Sequence, residues 1–169
     1  LFATIRSRLP ADRNWRAPAA PSRASATRRG LFGRPAIGTG RKRKMFSHIM
    51  IGTNDLEKAK HFYDAILGTL GVRPAHVDGN RIFYRTPTGV FSVSKPIDGE
   101  PATPANGGTI GFAANSPEEA DAWHAAGLTA GGTAIENPPG VREGATSKLY
   151  LAYLRDPDGN KICALHRMA

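Results

Sequence analysis

A pattern laid down between Ile49 and Phe62 returns at an offset of about 61 residues: Ile49 falls on Ile110, Asn54 on Asn115, Ala59 on Ala120 and Phe62 on Trp123. Identity across the repeat is low, but the order of strand, cap and apolar helix positions is kept. A unit of this kind has an apolar sheet face that it cannot cover alone. Two such units are stable only when they pack together, which limits the fold to a paired, layered architecture.

The first unit shows the pattern most clearly. Phe46, His48, Met50 and Gly52 alternate with Ser47, Ile49 and Ile51, the period of a strand. His48 therefore lies on the face opposite Ile49 and Ile51. Asn54 is the expected helix cap, with Glu57 three residues on as its capping-box partner. Leu56, Ala59, Phe62, Tyr63, Ile66 and Leu67 recur at helical spacing, and Gly68 and Gly71 close the helix. Residues 72–78 and 81–86 read as strands around an Asp-Gly-Asn turn, and 90–94 as a further strand. The stretch 96–108, with three prolines and three glycines, reads as a linker.

The second unit begins with a strand over 109–114. Ser116 caps a helix that has Pro117 in its first turn and Glu119 three residues after the cap. Strands follow over 133–137, 148–154 and 160–166. The fold class expected is α+β, with two βαβββ modules at about 45–95 and 109–169 forming a curved mixed sheet that bears a cavity. Residues 45–169 are expected to make up a single domain.

Two segments, HIMIGTNDLEKAKHFYDAILGTLG at 48–71 and YLAYLRDPDGNKICALH at 150–166, resemble the vicinal oxygen chelate superfamily, which contains glyoxalase I, bleomycin-resistance proteins and extradiol dioxygenases. The resemblance covers roughly 45–169. It implies a glyoxalase-like fold, and in metal-using members it implies ligands from the first and last strands of each module. His48 stands at the first of these places. Thr109 stands where a histidine is common, Cys163 where a glutamate is common, and Ser92 or Ser94 at the remaining place. Hydroxyls are weak donors for a divalent ion, although a Cys thiolate binds zinc strongly. No metal cofactor is therefore expected, and a divalent metal held by His48 is the lesser alternative. His48 can also be a cavity residue satisfied by hydrogen bonds, or a metal-free contact to a ligand.

Other polar residues are weighed in the same way. Tyr150 could aim its hydroxyl into the cavity, and Arg142, in the loop Pro138-Pro139-Gly140-Val141-Arg142, could fork onto a carboxylate or phosphate. Asp156-Pro157-Asp158-Gly159 is first a turn whose acids cap it. Lys161 shares a strand face with Cys163, where its cation would favour an anion over a metal. The cavity-lining set expected is thus His48, Ser92, Ser94, Thr109, Arg142, Tyr150 and Cys163. No catalytic residue can be named.

Net charge needs locating before it is read. The chain carries +9, yet residues 1–44 hold 12 of the 23 Lys and Arg and one acid, Asp12; the body keeps 11 bases against 13 acids. The basic segment is rich in Arg, Ala, Pro and Ser and is expected to be a disordered leader outside the native fold, because it cannot bury enough surface to order itself. Its first methionine neighbour, Met45, sits just before the first strand, which suits a translated upstream region or a cloning remnant. A nucleic-acid partner rests on this leader alone and ranks last. One cysteine excludes an intrachain disulfide framework and fits a reducing, cytoplasmic setting. No apolar run has membrane-spanning length. The expected function is binding or converting a small organic molecule in the inter-module cavity, with a homodimer compatible with the resemblance. The alternative is a metal-dependent lyase, isomerase or dioxygenase of the glyoxalase I type using His48.

Overall fold

The computed structural model describes residues 45–144 and 147–168. The leader expected over 1–44 lies outside the described residues. The first module runs β1 (His48–Gly52), α1 (Leu56–Thr69), β2 (His76–Asp78), β3 (Arg81–Thr86) and β4 (Gly89–Ser94). The second runs β5 (Ile110–Ala113), α2 (Pro117–Thr129), β6 (Thr133–Ala134), β7 (Gly140–Glu143), β8 (Lys148–Arg155) and β9 (Lys161–Arg167). The sheets have matching order, β1-β4-β3-β2 and β5-β9-β8-β6, with β7 also on β8. In each, the first strand runs parallel to the last and the others are antiparallel. A helical crossover is what a parallel pair requires, and α1 and α2 supply it.

Local chemistry explains where elements begin and end. The cap of α1 is Asp55, not Asn54: its carboxylate accepts the Lys58 amide at 3.0 Å. Asn54 is drawn away by the amide and carbonyl of Ala102 in the linker. Ser116 caps α2 as expected, accepting the Glu119 amide, while the Glu119 carboxylate turns back to the Asn115 amide. Gly71, at φ +74°, turns the chain out of α1 in a region costly for any residue with a Cβ. The strand expected over 72–78 shrinks to β2 because Pro74 has no N–H to give a ladder and the Val72 amide returns to Leu67. The strand expected over 133–137 stops at Ala134. Strand β7, hidden by the Pro138-Pro139 pair, pairs with β8 further along, so one edge strand is split in two.

Register fixes the faces. Ile49, Ile51, Phe91, Val93, Ile82 and Tyr84 share one face of the first sheet. Ile110, Phe112, Ile162, Ala164, Ala152 and Leu154 share one face of the second. Both faces turn toward one core built around α1 and α2, in which Phe62, Tyr63, Ile66 and Trp123 are fully buried. Phe91 and Phe112 meet edge to face at 5.2 Å, joining the two sheets through this core. The helices pack closely because Gly127 has no side chain. A Cβ there would fall 2.2 Å from Leu154 Cδ1 and 3.2 Å from Ile66 Cγ2. Among the described residues no helix is long and apolar enough to cross a membrane.

A polar clamp fastens the modules at the turn between β8 and β9. Thr53 Oγ1 donates to Asp158 at 2.5 Å, and the Asn54 amide donates to the same carboxylate at 2.9 Å. Beneath it, Tyr63 donates to the buried Asp156 at 2.7 Å, and Asp156 also accepts the backbone and side-chain N–H groups of Asn160. Burial and the Asp156 carboxylate together push the Tyr63 hydroxyl well above its usual pKa, so it remains a donor.

Candidate functional site

Each sheet has a second, helix-free face that looks away from the shared core. On the first sheet this open face carries His48, Met50 and Gly52 in register with Val90, Ser92 and Ser94. His48, Ser92 and Ser94 are thus on one surface. Their polar atoms are partly engaged: Ser92, fully buried, donates to the Ile49 carbonyl at 3.2 Å, and Ser94 donates to the Lys95 carbonyl at 2.8 Å. His48 is exposed, with Nδ1 at 2.9 Å from Ser47 Oγ.

Cys163 stands on the open face of the second sheet, opposite Gly111 on β5 and Tyr153 on β8. It is buried, and burial pushes its thiol up to about 11, opposed in part by nearby Lys161. A thiol held protonated in this way is inert at neutral pH. Thr109 is exposed and immediately precedes β5. Arg142 pairs with Leu149 on the same open face, but its guanidinium donates to the carbonyls of Asn137 and Pro138, holding its own loop. Lys161 pairs with Glu136 and sits 4.8 Å from the centre of the Tyr153 ring, so its charge is neutralised locally. Glu136 reaches it from a left-handed backbone, φ 59°.

Tyr150 is placed differently from the expectation that set it in the cavity. Alternation along β8 puts it with Ala152 and Leu154, and that is the face α2 covers. Its hydroxyl donates to Asp121 of α2 at 2.8 Å. The candidate residues therefore fall into two groups, His48 with Ser92 and Ser94, and Cys163 with Arg142, on the open faces of separate sheets.

What joins the modules is a groove of about 510 Å³ lined by the start of β1 and by β5. Leu67, Leu70, Phe91, Ile110 and Phe112 give it an apolar lining. His48, Ser47, Thr86 and Thr88 add the polar groups. That size and mixture, mostly apolar with a few polar groups, is typical of small-molecule pockets.

The comparisons agree with this architecture. A family profile described as the Glyoxalase/Bleomycin resistance protein/Dioxygenase superfamily matches residues 45–164. The chain belongs to that superfamily. A solved glyoxalase/bleomycin resistance protein from Albidiferax ferrireducens T118 shares 65% identity over 73% of this chain and 99% of its own, with a TM-score of 0.72. Two more distant structures show the fold alone. A glyoxalase-related enzyme from Fulvimarina pelagi is 19% identical over 73% of this chain and 88% of its own, TM-score 0.56. A family enzyme from Burkholderia phytofirmans PsJN is 18% identical over 72% and 98%, TM-score 0.56.

Membership makes the metal question concrete, and the residues do not fit a vicinal oxygen chelate centre. Among the described residues no three His, Cys, Asp or Glu side chains are grouped to hold an ion. The places occupied by Thr109, Ser92 and Ser94 offer neutral hydroxyls, and the two serines already donate to carbonyls. Cys163 could add at most one strong donor to His48, short of the three that such a centre needs. A divalent ion leaving water needs anionic or imidazole donors in a set of three or more.

Sequence reasoning passed over three features. The reach of Asp158 into the first module depends on a contact 104 residues away in sequence. The pairing of Lys161 with Glu136 depends on an unusual backbone angle. The open-face ladder Arg81, Phe83 and Arg85 was signalled by alternation along β3, yet only register shows that it shares a surface with His48.

Proposed function

We propose that this superfamily member binds or converts a small organic molecule in the groove between its modules, without the superfamily's four-ligand metal centre. The observation that supports this most is the groove itself: about 510 Å³, apolar in lining, open to solvent, and built jointly by β1 and β5. Its polar groups can orient a ligand by hydrogen bonds alone, as His48 offers an exposed imidazole, and Thr86 and Thr88 offer hydroxyls. Binding with no chemistry would resemble sequestration; turnover would need His48 as the acid or base, since the other ionisable side chain lining the groove, Tyr84, is held protonated by burial and by its hydrogen bond to Asp64.

We place this activity in a cytoplasmic homodimer. Strand β2 ends the first sheet's strand order on the side away from the groove, leaving an edge for another chain to pair with. A buried free thiol, Cys163, suits a reducing compartment.

The test is a screen of small organic molecules against the full chain by ligand-observed NMR, repeated with Gly89→Trp. A Cβ at Gly89 meets only the carbonyl oxygens of Phe46 and Ser47 at 3.9 Å, so the change adds bulk at the groove wall without backbone conflict. Hits lost in Gly89→Trp, with an unchanged melting temperature, support the reading. Hits that persist place the ligand elsewhere and overturn it.

A further inference from the structure

We infer that the ligand of this groove is a short extended peptide, seated as an added strand between the free edges of β1 and β5. The inference rests on the proposed groove reading and adds the class of ligand to it. The direction of the backbone groups in β1 follows from its partner strand. The Val90 amide donates to the Ser47 carbonyl at 3.3 Å, and the Thr53 amide donates to the Ser94 carbonyl at 3.0 Å. Alternate residues of a strand face a given neighbour, so Ser47, Ile49, Ile51 and Thr53 turn their N–H and C=O groups to β4. His48, Met50 and Gly52 turn theirs the other way. Gly52 shows what lies there, because its carbonyl accepts Asn160 Nδ2 of the second module at 3.4 Å. In β5 the Ala114 amide donates to the Leu165 carbonyl at 2.9 Å, so the backbone groups of Gly111 and Ala113 face away from β9. His48, Gly111 and Ala113 are exposed and line the groove. Strands β1 and β5 belong to different sheets, and among the described residues no turn or loop hydrogen bond uses these three backbones.

Edges of this kind are usually blunted by lysine, proline or a bulge. Residues 45–52, MFSHIMIG, and 110–113, IGFA, contain neither lysine nor proline. Gly111 and Ala113 are also small enough to let another backbone come close to β5. The lining itself selects an in-plane ligand. Ile49, Phe91 and Phe112 belong to the core faces of their sheets, whereas His48, Val90 and Gly111 belong to the open faces, yet all six line the groove. Residues of both faces meet a ligand that lies between the strand edges and sends groups to either side. An extended peptide does this, because its successive side chains point in opposite directions. Its own N–H and C=O groups alternate in the same way, one set toward β1 and the other toward β5. Apolar side chains on one side of it then face Phe91 and Phe112, and those on the other side emerge beside His48. Main-chain bonds supply the hold and alternate side chains the selectivity, as in other additions of a strand to a sheet edge. A groove of about 510 Å³ takes only a few residues.

The experiment titrates the blocked peptide acetyl-Ser-Phe-Ser-Leu-Ser-amide into the ¹⁵N-labelled full chain, following amide shifts. Two N-methylated forms serve as controls, one at the Phe and Leu nitrogens and one at the second and third Ser nitrogens. Each keeps every side chain and removes the donors along one side of the peptide. Expected are the largest shifts at His48, Met50, Gly111 and Ala113, and a loss of at least about tenfold in affinity with either methylated form, the combined worth of two hydrogen bonds. Gly111→Pro removes an N–H that points into the groove and spares the ladder to β9, and a Cβ there meets only Cys163 Sγ at 3.4 Å. It should weaken the unmodified peptide severalfold at an unchanged melting temperature; if the melting temperature falls, the peptide comparison decides alone. Equal binding of all three peptides would overturn the inference and leave the groove reading standing, since apolar contact alone would then account for binding. Loss with only one methylated form would show that a single edge is used and would overturn the insertion, as would shifts centred on β2. Failure of the unmodified peptide to bind would overturn it as well, and the groove reading would still be judged by its own screen with Gly89→Trp.

Discussion

Removing the Asp158 carboxylate should loosen the join between the two modules. In Asp158→Ala three donors lose an acceptor: Thr53 Oγ1 at 2.5 Å, the Asn54 amide at 2.9 Å and Asn54 Nδ2 at 3.1 Å. Two of them keep another partner, Thr53 with the Asp55 carbonyl and Asn54 Nδ2 with the Ala102 carbonyl. The Asn54 amide has no such substitute, although water can reach it because Asn54 is exposed. One poorly replaced hydrogen bond to a charge and two partly compensated losses amount to about 2–3 kcal/mol. For a body of this size that corresponds to a fall in Tm of roughly 8–10 °C. Urea titration followed by circular dichroism, with calorimetry for Tm, would measure both. Asp158→Asn keeps a carbonyl oxygen and should lose about half as much, and Asp78→Ala, on an exposed strand, should change little. A loss below about 0.5 kcal/mol in Asp158→Ala would refute the clamp.

Other perturbations address the core and the ionisable groups. Phe62→Ala and Trp123→Ala should each cost roughly 3–5 kcal/mol by denaturant titration, since both side chains are fully buried at matching places; losses under about 1 kcal/mol at both would contradict the shared core. Cys163 should react with iodoacetamide at pH 8 far more slowly than a free thiol, because its pKa is raised to about 11 and it is buried; a rate equal to that of glutathione would contradict this. Its folded pKa lies above the unfolded value, so it contributes stability that is lost as pH rises from about 9 toward about 11. Asp64 behaves oppositely. Burial acts to raise its pKa, but hydrogen bonds from Lys60, the Ala75 amide and Tyr84 outweigh this and lower it. Its contribution is present above the unfolded value of about 3.9 and is lost as pH falls through the lower folded value. Asp64→Asn should therefore flatten the acid limb of a stability–pH curve, and an unchanged limb would count against these bonds.

Much of the fold was legible because it depends on local rules. Alternation in 81–86 and helical spacing from Leu56 to Leu67 place strand β3 and helix α1 directly, and Ser116-Pro117 marks the start of α2. The repeat of Ile49 at Ile110 and Phe62 at Trp123 anticipates that one core serves both modules. Strand β7 was not legible, since two prolines before it read as a loop and only pairing with β8 makes it a strand. Nor was the cap of α1, where Asn54 and Asp55 are both good candidates and a linker 48 residues away decides between them. The candidate site was harder still. Period-two spacing correctly separates Tyr150 from Tyr153 but does not tell which face a helix covers. Which residues of the two modules meet is a matter of tertiary packing, and it divides His48 from Cys163.

The most direct test of the central claim, a small-molecule pocket without the chelate centre, is the metal content of full chain purified without chelators, compared with His48→Ala. Elemental analysis followed by titration with zinc, nickel and iron should find no stoichiometric ion in either protein and no micromolar site, because neutral hydroxyls stand at two of the three remaining ligand places and leave at most two strong donors. One equivalent of a divalent metal in the unaltered protein, lost in His48→Ala, would contradict the account and establish a metal centre built on His48.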